Sequence, residues 1–65
     1  MPLIHIELLE GRSEEQLKKI VEDVTRDVAR DANVPEERVN IVLTELAHNR
    51  LAKGGKLVSD LENHQ

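Results

Sequence analysis

The sequence contains no cysteine and no phenylalanine, tyrosine or tryptophan. The absence of cysteine excludes disulfides and thiolate zinc sites, and the absence of aromatic residues removes the side chains that bury the most area each. A chain of 65 residues makes one domain, 1–65, and buries only about 60% of its unfolded surface when it folds alone. We therefore expect a homo-oligomer whose core is completed between chains.

The sequence also lacks a basic stripe and a long hydrophobic run. Its net charge is −4, with acidic and basic residues interspersed, so it offers no surface for nucleic acid phosphates and no aromatic platform for bases. No apolar stretch approaches the roughly 20 residues that cross a bilayer, and no segment resembles a signal peptide. We expect a cytoplasmic protein that binds neither nucleic acid nor membrane.

Two apolar stretches alternate with a period of two residues, over 3–9 and 39–46, and this pattern predicts β-strands. Between them, Ser13 and Gln16 have the spacing of a capping box, which predicts a helix that starts at Ser13. Asn33 is a suitable C-terminal cap for this helix. Its apolar residues recur every three or four positions and form one stripe: Leu17, Ile20, Val21, Val24 and Val28.

The order strand, helix, strand predicts an α/β protein with a single β-α-β unit. A crossover through a helix makes the two strands parallel. Gly54 and Gly55 suit a two-residue turn, so we expect a short C-terminal hairpin there, followed by a polar tail over 60–65. A two-stranded sheet leaves an edge and a face uncovered, and we expect partner chains to complete it.

The stretches "MPLIHIELLEGRS", "VNIVLTEL" and "KGGKL", together with the capped helix, resemble the tautomerase superfamily. The resemblance covers nearly the entire chain and is to the short subunits of the 4-oxalocrotonate tautomerase group. It implies an α+β tautomerase-type subunit that assembles, most often into hexamers.

The resemblance implies that Pro2, with Met1 removed, is the catalytic base. A retained methionine would convert the proline nitrogen into an unreactive tertiary amide. Arg12 matches the family arginine that binds a substrate carboxylate, commonly from a neighbouring subunit, and its planar fork suits bidentate contact. As an alternative, Arg12 solvates the start of the helix.

Two positions depart from the family pattern. Asn40 stands where the characterised enzymes have a second arginine, and Leu51 stands where they have a phenylalanine. Asn40 can hydrogen-bond a carbonyl but stabilises an anion less than arginine does, and Leu51 can still exclude water. Arg38, if the second strand includes it, shares a face with Asn40, and Arg50 adjoins Leu51, so either arginine is a candidate for substrate contact or a solvated surface charge.

The remaining polar residues suggest no second chemistry. Ser13 is interpreted as a helix cap, and His5 as a packed or interface residue. His48 and His64 lack a pairing typical of a metal site, so we predict no metal and no cofactor. Three glutamates could act as acids but are more typical of solvated carboxylates: Glu7, Glu10 and Glu45.

The leading hypothesis is an isomerase that interconverts enol and keto forms of a small 2-oxo acid. A second hypothesis keeps the Pro2 site but performs hydration, dehalogenation or decarboxylation of unsaturated acids, which normally recruits an extra acidic residue. A third is a non-catalytic assembly subunit whose partner supplies the missing arginine and aromatic residue.

Overall fold

The computed structural model describes residues 1–62, and a pair of parallel strands forms its centre. Strand β1 spans Leu3–Leu9 and strand β2 spans Asn40–Leu46. Leu3 pairs with Asn40 and Leu9 with Leu46, so the strands are in register along their whole length. The connection between them is a helix, and the predicted β-α-β unit is confirmed.

Helix α1 spans Glu14–Ala32, and residues at both of its ends satisfy its free backbone groups. The Ser13 hydroxyl accepts from the Gln16 amide at 3.1 Å, and the Gln16 side chain accepts from the Ser13 amide at 2.9 Å. At the other end Asn33 is left-handed, with φ 56°. Its N–H group and that of Val34 donate to carbonyls of the last helical turn. Both predicted caps are confirmed.

Helix α1 covers one face of the sheet and leaves the other open. The covered face carries half-buried side chains: Ile4, Ile6, Leu8, Ile41 and Leu43. On the opposite face Leu3 is 55% exposed and Val42 is 42% exposed. The alternation of the strands therefore places one apolar row under the helix and a second row in solvent.

The segment before β2 corrects one expectation. Pro35 precedes a 3-10 turn over Glu36–Arg38, in which the Arg38 amide donates to the Pro35 carbonyl. Strand β2 consequently begins at Asn40, one residue later than predicted, and Arg38 lies outside it. Arg38 therefore does not share a strand face with Asn40, because it belongs to the turn that precedes the strand.

The C-terminal part contains the expected hairpin and an unexpected helix. Strands β3 (Ala52–Lys53) and β4 (Lys56–Leu57) pair antiparallel. Gly54 and Gly55 connect them with φ of 58° and 82°, values that favour glycine in a two-residue turn. Helix α2 then spans Val58–Glu62. The predicted polar tail is therefore wrong over 60–62, and its remainder, 63–65, lies outside the described residues.

Little of this chain is buried. Among residues 1–62 the buried apolar residues are Leu17, Ala29 and Val58, each 7% exposed. The radius of gyration is 15.2 Å and the longest dimension is 45 Å, whereas a compact domain of this length has a radius of gyration of roughly 11 Å. Over the same residues no helix has the length and apolar character needed to cross a membrane.

Candidate active site

Pro2 lies directly before β1 and is fixed there by its own carbonyl group. The Asn40 amide donates to the Pro2 carbonyl oxygen at 3.0 Å. Proline lacks an N–H donor, and the first residue of a strand is a position where that lack costs no ladder bond. Pro2 is half-buried, while Met1 before it is 84% exposed.

Asn40 and Arg38 lie at the same end of the sheet as Pro2. The Asn40 side chain is exposed on the open face, and its amide nitrogen Nδ2 donates to the Arg38 carbonyl at 3.3 Å. Its amide oxygen has no partner among residues 1–62, whereas the Arg38 side chain extends from the 3-10 turn into solvent. The two candidates are therefore close in the chain but belong to different elements.

Arg12 lies beyond the opposite end of β1, in the turn that leads into α1. Gly11 before it has φ 129°, a conformation that other residues rarely adopt. Arg12 donates from Nη1 to the Leu9 carbonyl at 2.8 Å. It borders an open groove of about 570 Å³, lined by Arg12, Ser13, Glu15, Gln16, Lys19 and Ile20.

Arg12 differs from the arginines of α1 in its charge environment. Asp23 forms an ion pair with Arg26 and raises its pKa, and Asp31 and Asp27 do the same for Arg30. Arg12 forms no ion pair with any acidic side chain within residues 1–62. Its guanidinium therefore keeps donors for an anion supplied from outside this part of the chain.

The structure separates Pro2 from Arg12. Strand β1 lies between them, and at about 3.3 Å per residue it is roughly 20 Å long. No small 2-oxo acid spans that distance. A site that uses both residues therefore has to take Pro2 from one chain and Arg12 from another.

Arg50 and Leu51 follow the end of β2 that is remote from Pro2. The Arg50 amide donates to the Ala47 carbonyl at 2.9 Å, and its side chain donates to the Asn49 carbonyl at 2.9 Å. The Leu51 carbonyl accepts from the Val58 amide at 2.8 Å, and Leu51 is half-buried. Within one chain neither residue is brought to Pro2.

His48 makes a set of contacts that the sequence did not reveal. Its Nδ1 lies 2.6 and 2.8 Å from the two carboxylate oxygens of Glu62, and its Nε2 lies 3.0 Å from the Glu10 carbonyl oxygen. The bond to Glu62 and then that to Glu10 raise the pKa of His48 above its ordinary value. These partners are far apart in sequence, so no local spacing could have indicated the contact.

The other candidates are spread over the fold. His5 lies on the open face of the sheet, opposite Val42. Glu7 lies in mid-strand, while Glu45 and Glu10 lie at the end remote from Pro2. None of these carboxylates is placed at Pro2 within one chain. His64, the third histidine of the sequence, lies outside the described residues.

Comparison with known proteins identifies the family to which this chain belongs. Residues 2–61 match a family described as "Tautomerase enzyme". A probable tautomerase of Lactiplantibacillus plantarum is 47% identical over 62 residues, which cover 95% of this chain and 97% of that protein. A 2-hydroxymuconate tautomerase of Pseudomonas putida is 36% identical over 61 residues, with coverage of 94% and 97%.

Solved structures agree with the sequence matches. One of the 4-oxalocrotonate tautomerase isozymes from Methylibium petroleiphilum superimposes with a TM-score of 0.96 at 30% identity, over 98% of this chain and 100% of that one. A heterohexamer 4-oxalocrotonate tautomerase from Chloroflexus aurantiacus gives a TM-score of 0.89 at 30% identity, over 94% and 98%. The predicted fold and the family resemblance are confirmed.

Proposed function

Because this chain belongs to the family of tautomerase enzymes, we propose that it interconverts the enol and keto forms of a small 2-oxo acid. Pro2, freed of Met1, is the general base, and Arg12 of a second chain binds the substrate carboxylate. The position of Pro2 carries the proposal. Its carbonyl is anchored to Asn40 at 3.0 Å, while the methionine that would block its nitrogen is 84% exposed.

The reaction needs a base that gains and loses a proton near neutral pH. An α-amino group titrates at about 7.7 to 8.0, and removal from water favours its neutral form. Once Met1 is cleaved, Pro2 carries such an amine at a half-buried position. Its lone pair is then available to accept a proton from the substrate.

The proposed reaction moves one proton from the enol oxygen to a carbon atom by way of the Pro2 nitrogen. The Pro2 nitrogen takes the proton of the enol hydroxyl at C2, and the electrons of that O–H bond form the C2 carbonyl. The electron pair of the carbon–carbon double bond takes the proton back from the protonated amine at C3, or at C5 in a conjugated dienol. The product is the keto isomer, and the amine returns to its neutral state.

Arg12 and Asn40 divide the binding of the substrate between them. Arg12 has one recorded bond, to the Leu9 carbonyl, and its other N–H groups can take a carboxylate in bidentate geometry. Asn40, beside Pro2, offers a neutral amide to the carbonyl end of the substrate. In an assembly, Leu51 excludes water from this site, and Arg38 and Arg50 are candidates for a second contact with the acid.

We infer that the working unit is a homo-oligomer, with a hexamer as the proposed form. The open sheet face, with Leu3 and Val42 more than one-third exposed, supports burial against other chains. So does the separation of Pro2 from Arg12, since one chain alone cannot complete the site. An enzyme of 65 residues therefore gains both its core and its active site by assembly.

A second candidate function is that of one subunit in a mixed assembly. Asn40 is neutral at the position where a cation would bind the second charged group of a dicarboxylate, and a partner of another sequence could supply that cation. A relative from Chloroflexus aurantiacus is a heterohexamer, so subunits of this fold can form mixed assemblies. Native mass spectrometry of the purified chain, measured together with turnover, separates the two candidates.

The test of the main proposal is to cover the Pro2 nitrogen. A chain that begins at Pro2 is compared with one that keeps an uncleaved Gly-Ser extension before Pro2, with intact mass confirming each N-terminus. General acid–base catalysis contributes about 10² to 10⁴, so kcat on phenylenolpyruvate falls by about that factor in the extended chain. Pro35→Ala, which alters the other proline, is the control. Equal activity of the two forms would overturn the role of Pro2.

A further inference from the structure

We propose that His48 is a positioning residue whose imidazolium form fastens helix α2 to the turn between β1 and α1 and thereby orients Arg12. The proposal rests on the proposed function of Arg12 as the carboxylate anchor. Its basis is a single side chain that contacts two segments distant in sequence, with Glu62 and Glu10 as partners.

The contact with Glu10 acts on one particular peptide plane. The Glu10 carbonyl oxygen, which His48 Nε2 meets at 3.0 Å, belongs to the peptide that joins Glu10 to Gly11. Gly11 has φ 129°, and glycine resists rotation of its flanking peptides less than any other residue. A bond that holds this plane therefore limits the direction in which Arg12 leaves the turn.

The remaining bonds of the turn do not fix that plane. The Glu10 amide donates to the Leu46 carbonyl at 2.8 Å, which holds the preceding peptide. Arg12 Nη1 donates to the Leu9 carbonyl at 2.8 Å, which ties the guanidinium to the strand end. Of the bonds recorded within residues 1–62, the one from His48 is the one that reaches the Glu10 carbonyl.

Both nitrogens of the His48 ring face acceptors. Nδ1 faces the Glu62 carboxylate and Nε2 faces a main-chain carbonyl. A neutral imidazole carries one N–H group, whereas the imidazolium carries two. The charged form alone can donate to both partners. The neutral ring keeps its one N–H on Nδ1, beside the carboxylate, because a bond to an ionised acceptor is the stronger, so deprotonation breaks the contact with the Glu10 carbonyl.

The charged groups around the ring favour the imidazolium. The carboxylates of Glu62 on α2 and Glu10 on the turn both raise the pKa of His48, and partial loss of hydration opposes them. The two contacts of His48, with Glu62 and with the Glu10 carbonyl, are called the clamp. Because the pKa of His48 in the folded chain lies above its ordinary value of 6.5, the clamp is complete below pH 6.5. It is lost as the pH rises through the folded-state pKa.

Loss of the clamp does not remove α2 altogether. The Ser59 amide donates to the main-chain carbonyl of His48 at 2.8 Å, and the Val58 amide donates to the Leu51 carbonyl at 2.8 Å. These main-chain bonds remain when the ring of His48 or the carboxylate of Glu62 is changed. Variants at either side chain are therefore expected to keep the fold and to lose only the ring contacts.

The first experiment compares Glu62→Ala, which removes the partner of His48 Nδ1, with Asp60→Ala, which removes an equal charge from the same short helix without touching His48. The KM for phenylenolpyruvate is measured from pH 6 to pH 9 and divided by the wild-type value at each pH, so that the titration of Pro2 cancels. For Glu62→Ala the ratio is expected to be about three to ten at low pH and to fall to one at high pH. The kcat ratio stays near one.

For Asp60→Ala both ratios stay near one throughout. A rescue variant, His48→Arg, keeps a cation and several donors at all these pH values, and its KM should lack the rise that wild type shows through the His48 titration. A Glu62→Ala ratio that is independent of pH, or an Asp60→Ala ratio that matches it, would overturn the proposal.

A second measurement does not depend on turnover. The ring proton of His48 is titrated by NMR in wild type, Glu62→Ala and Asp60→Ala, with His48→Gln used to assign the signal. The midpoint should fall in Glu62→Ala alone, and the wild-type amide signals of Gly11 and Arg12 should move with it. If tautomerase activity is absent but these signals follow His48, the proposed function fails and the clamp stands. If activity is present but they do not move, the positioning role is wrong.

Discussion

The Asn40 amide donates a hydrogen bond of 3.0 Å to the carbonyl oxygen of Pro2. This bond opens the pairing of β1 with β2, and it places the side chain of Asn40 on the open sheet face next to the proposed base. Residue 40 is therefore the first side chain of β2 that a substrate at Pro2 would meet. Its neutral amide, rather than the general fold, is expected to set which acids the enzyme prefers.

Asn40→Arg is expected to shift the preference from monocarboxylate to dicarboxylate enols. A charge-assisted bond to a second carboxylate contributes about 1.5 to 3 kcal/mol, so the ratio of kcat/KM for 2-hydroxymuconate over phenylenolpyruvate should rise at least about tenfold. Asn49→Arg, in the exposed loop at the other end of the sheet, is the matched control and should leave the ratio unchanged. An unchanged ratio in Asn40→Arg would show that residue 40 does not face the substrate.

Arg12→Gln is expected to raise KM and to leave the free energy of unfolding nearly unchanged. The recorded bonds of Arg12 within residues 1–62 go to the Leu9 carbonyl and to no carboxylate, so the main loss is that of the substrate anchor. The kcat/KM should fall about 10- to 100-fold, and Arg12→Lys should recover only part of it because the bidentate fork is missing. Arg30→Gln is the control, since Arg30 is paired with Asp27 and Asp31. Equal losses in both variants would point to a general effect of charge.

The fold was largely predictable because its signals are local. The period-two strands, the Ser13 capping box, the left-handed Asn33 and the Gly54–Gly55 turn each depend on a few neighbouring residues. The misses at Arg38 and in α2 have a different origin. The 3-10 turn after Pro35 interrupts an alternation that the residue types alone continue. Helix α2 has only five residues and begins immediately after a strand.

The candidate site was predictable only in part, because its geometry depends on segments that are distant from one another in sequence. Pro2 and Arg12 each have a recognisable sequence setting, but the distance between them follows from the length and register of β1. The contacts of His48 with Glu62 and Glu10 bridge 14 and 38 residues. A lone histidine in a loop gives no pattern from which such a contact can be predicted.

Ser13→Ala is expected to lower the free energy of unfolding by about 1 kcal/mol, the usual effect of removing a helix cap. The Ser13 hydroxyl accepts from the Gln16 amide at 3.1 Å, and alanine leaves that donor without this partner. Ser13→Asp keeps an acceptor at the same place and should restore most of the loss. Chemical denaturation at one fixed protein concentration measures both variants, since assembly makes stability concentration-dependent. Equal destabilisation by alanine and aspartate would contradict a capping role.

Val42→Lys is expected to prevent assembly while leaving the β-α-β unit intact. Val42 lies on the sheet face that α1 does not cover and is 42% exposed in a single chain, so a lysine there is hydrated in the monomer but would lose that hydration against another chain. Burial of an unpaired charge is far more costly than burial of valine. Because the proposed site combines Pro2 of one chain with Arg12 of another, loss of the oligomer should also abolish turnover. Sedimentation velocity and enol ketonisation measured on the same sample test both outcomes.

Glu22→Lys, on the exposed side of α1, introduces the same side chain and should change neither the assembly nor the turnover. An active assembly in Val42→Lys would mean that the open face of the sheet is not the surface through which the chains associate.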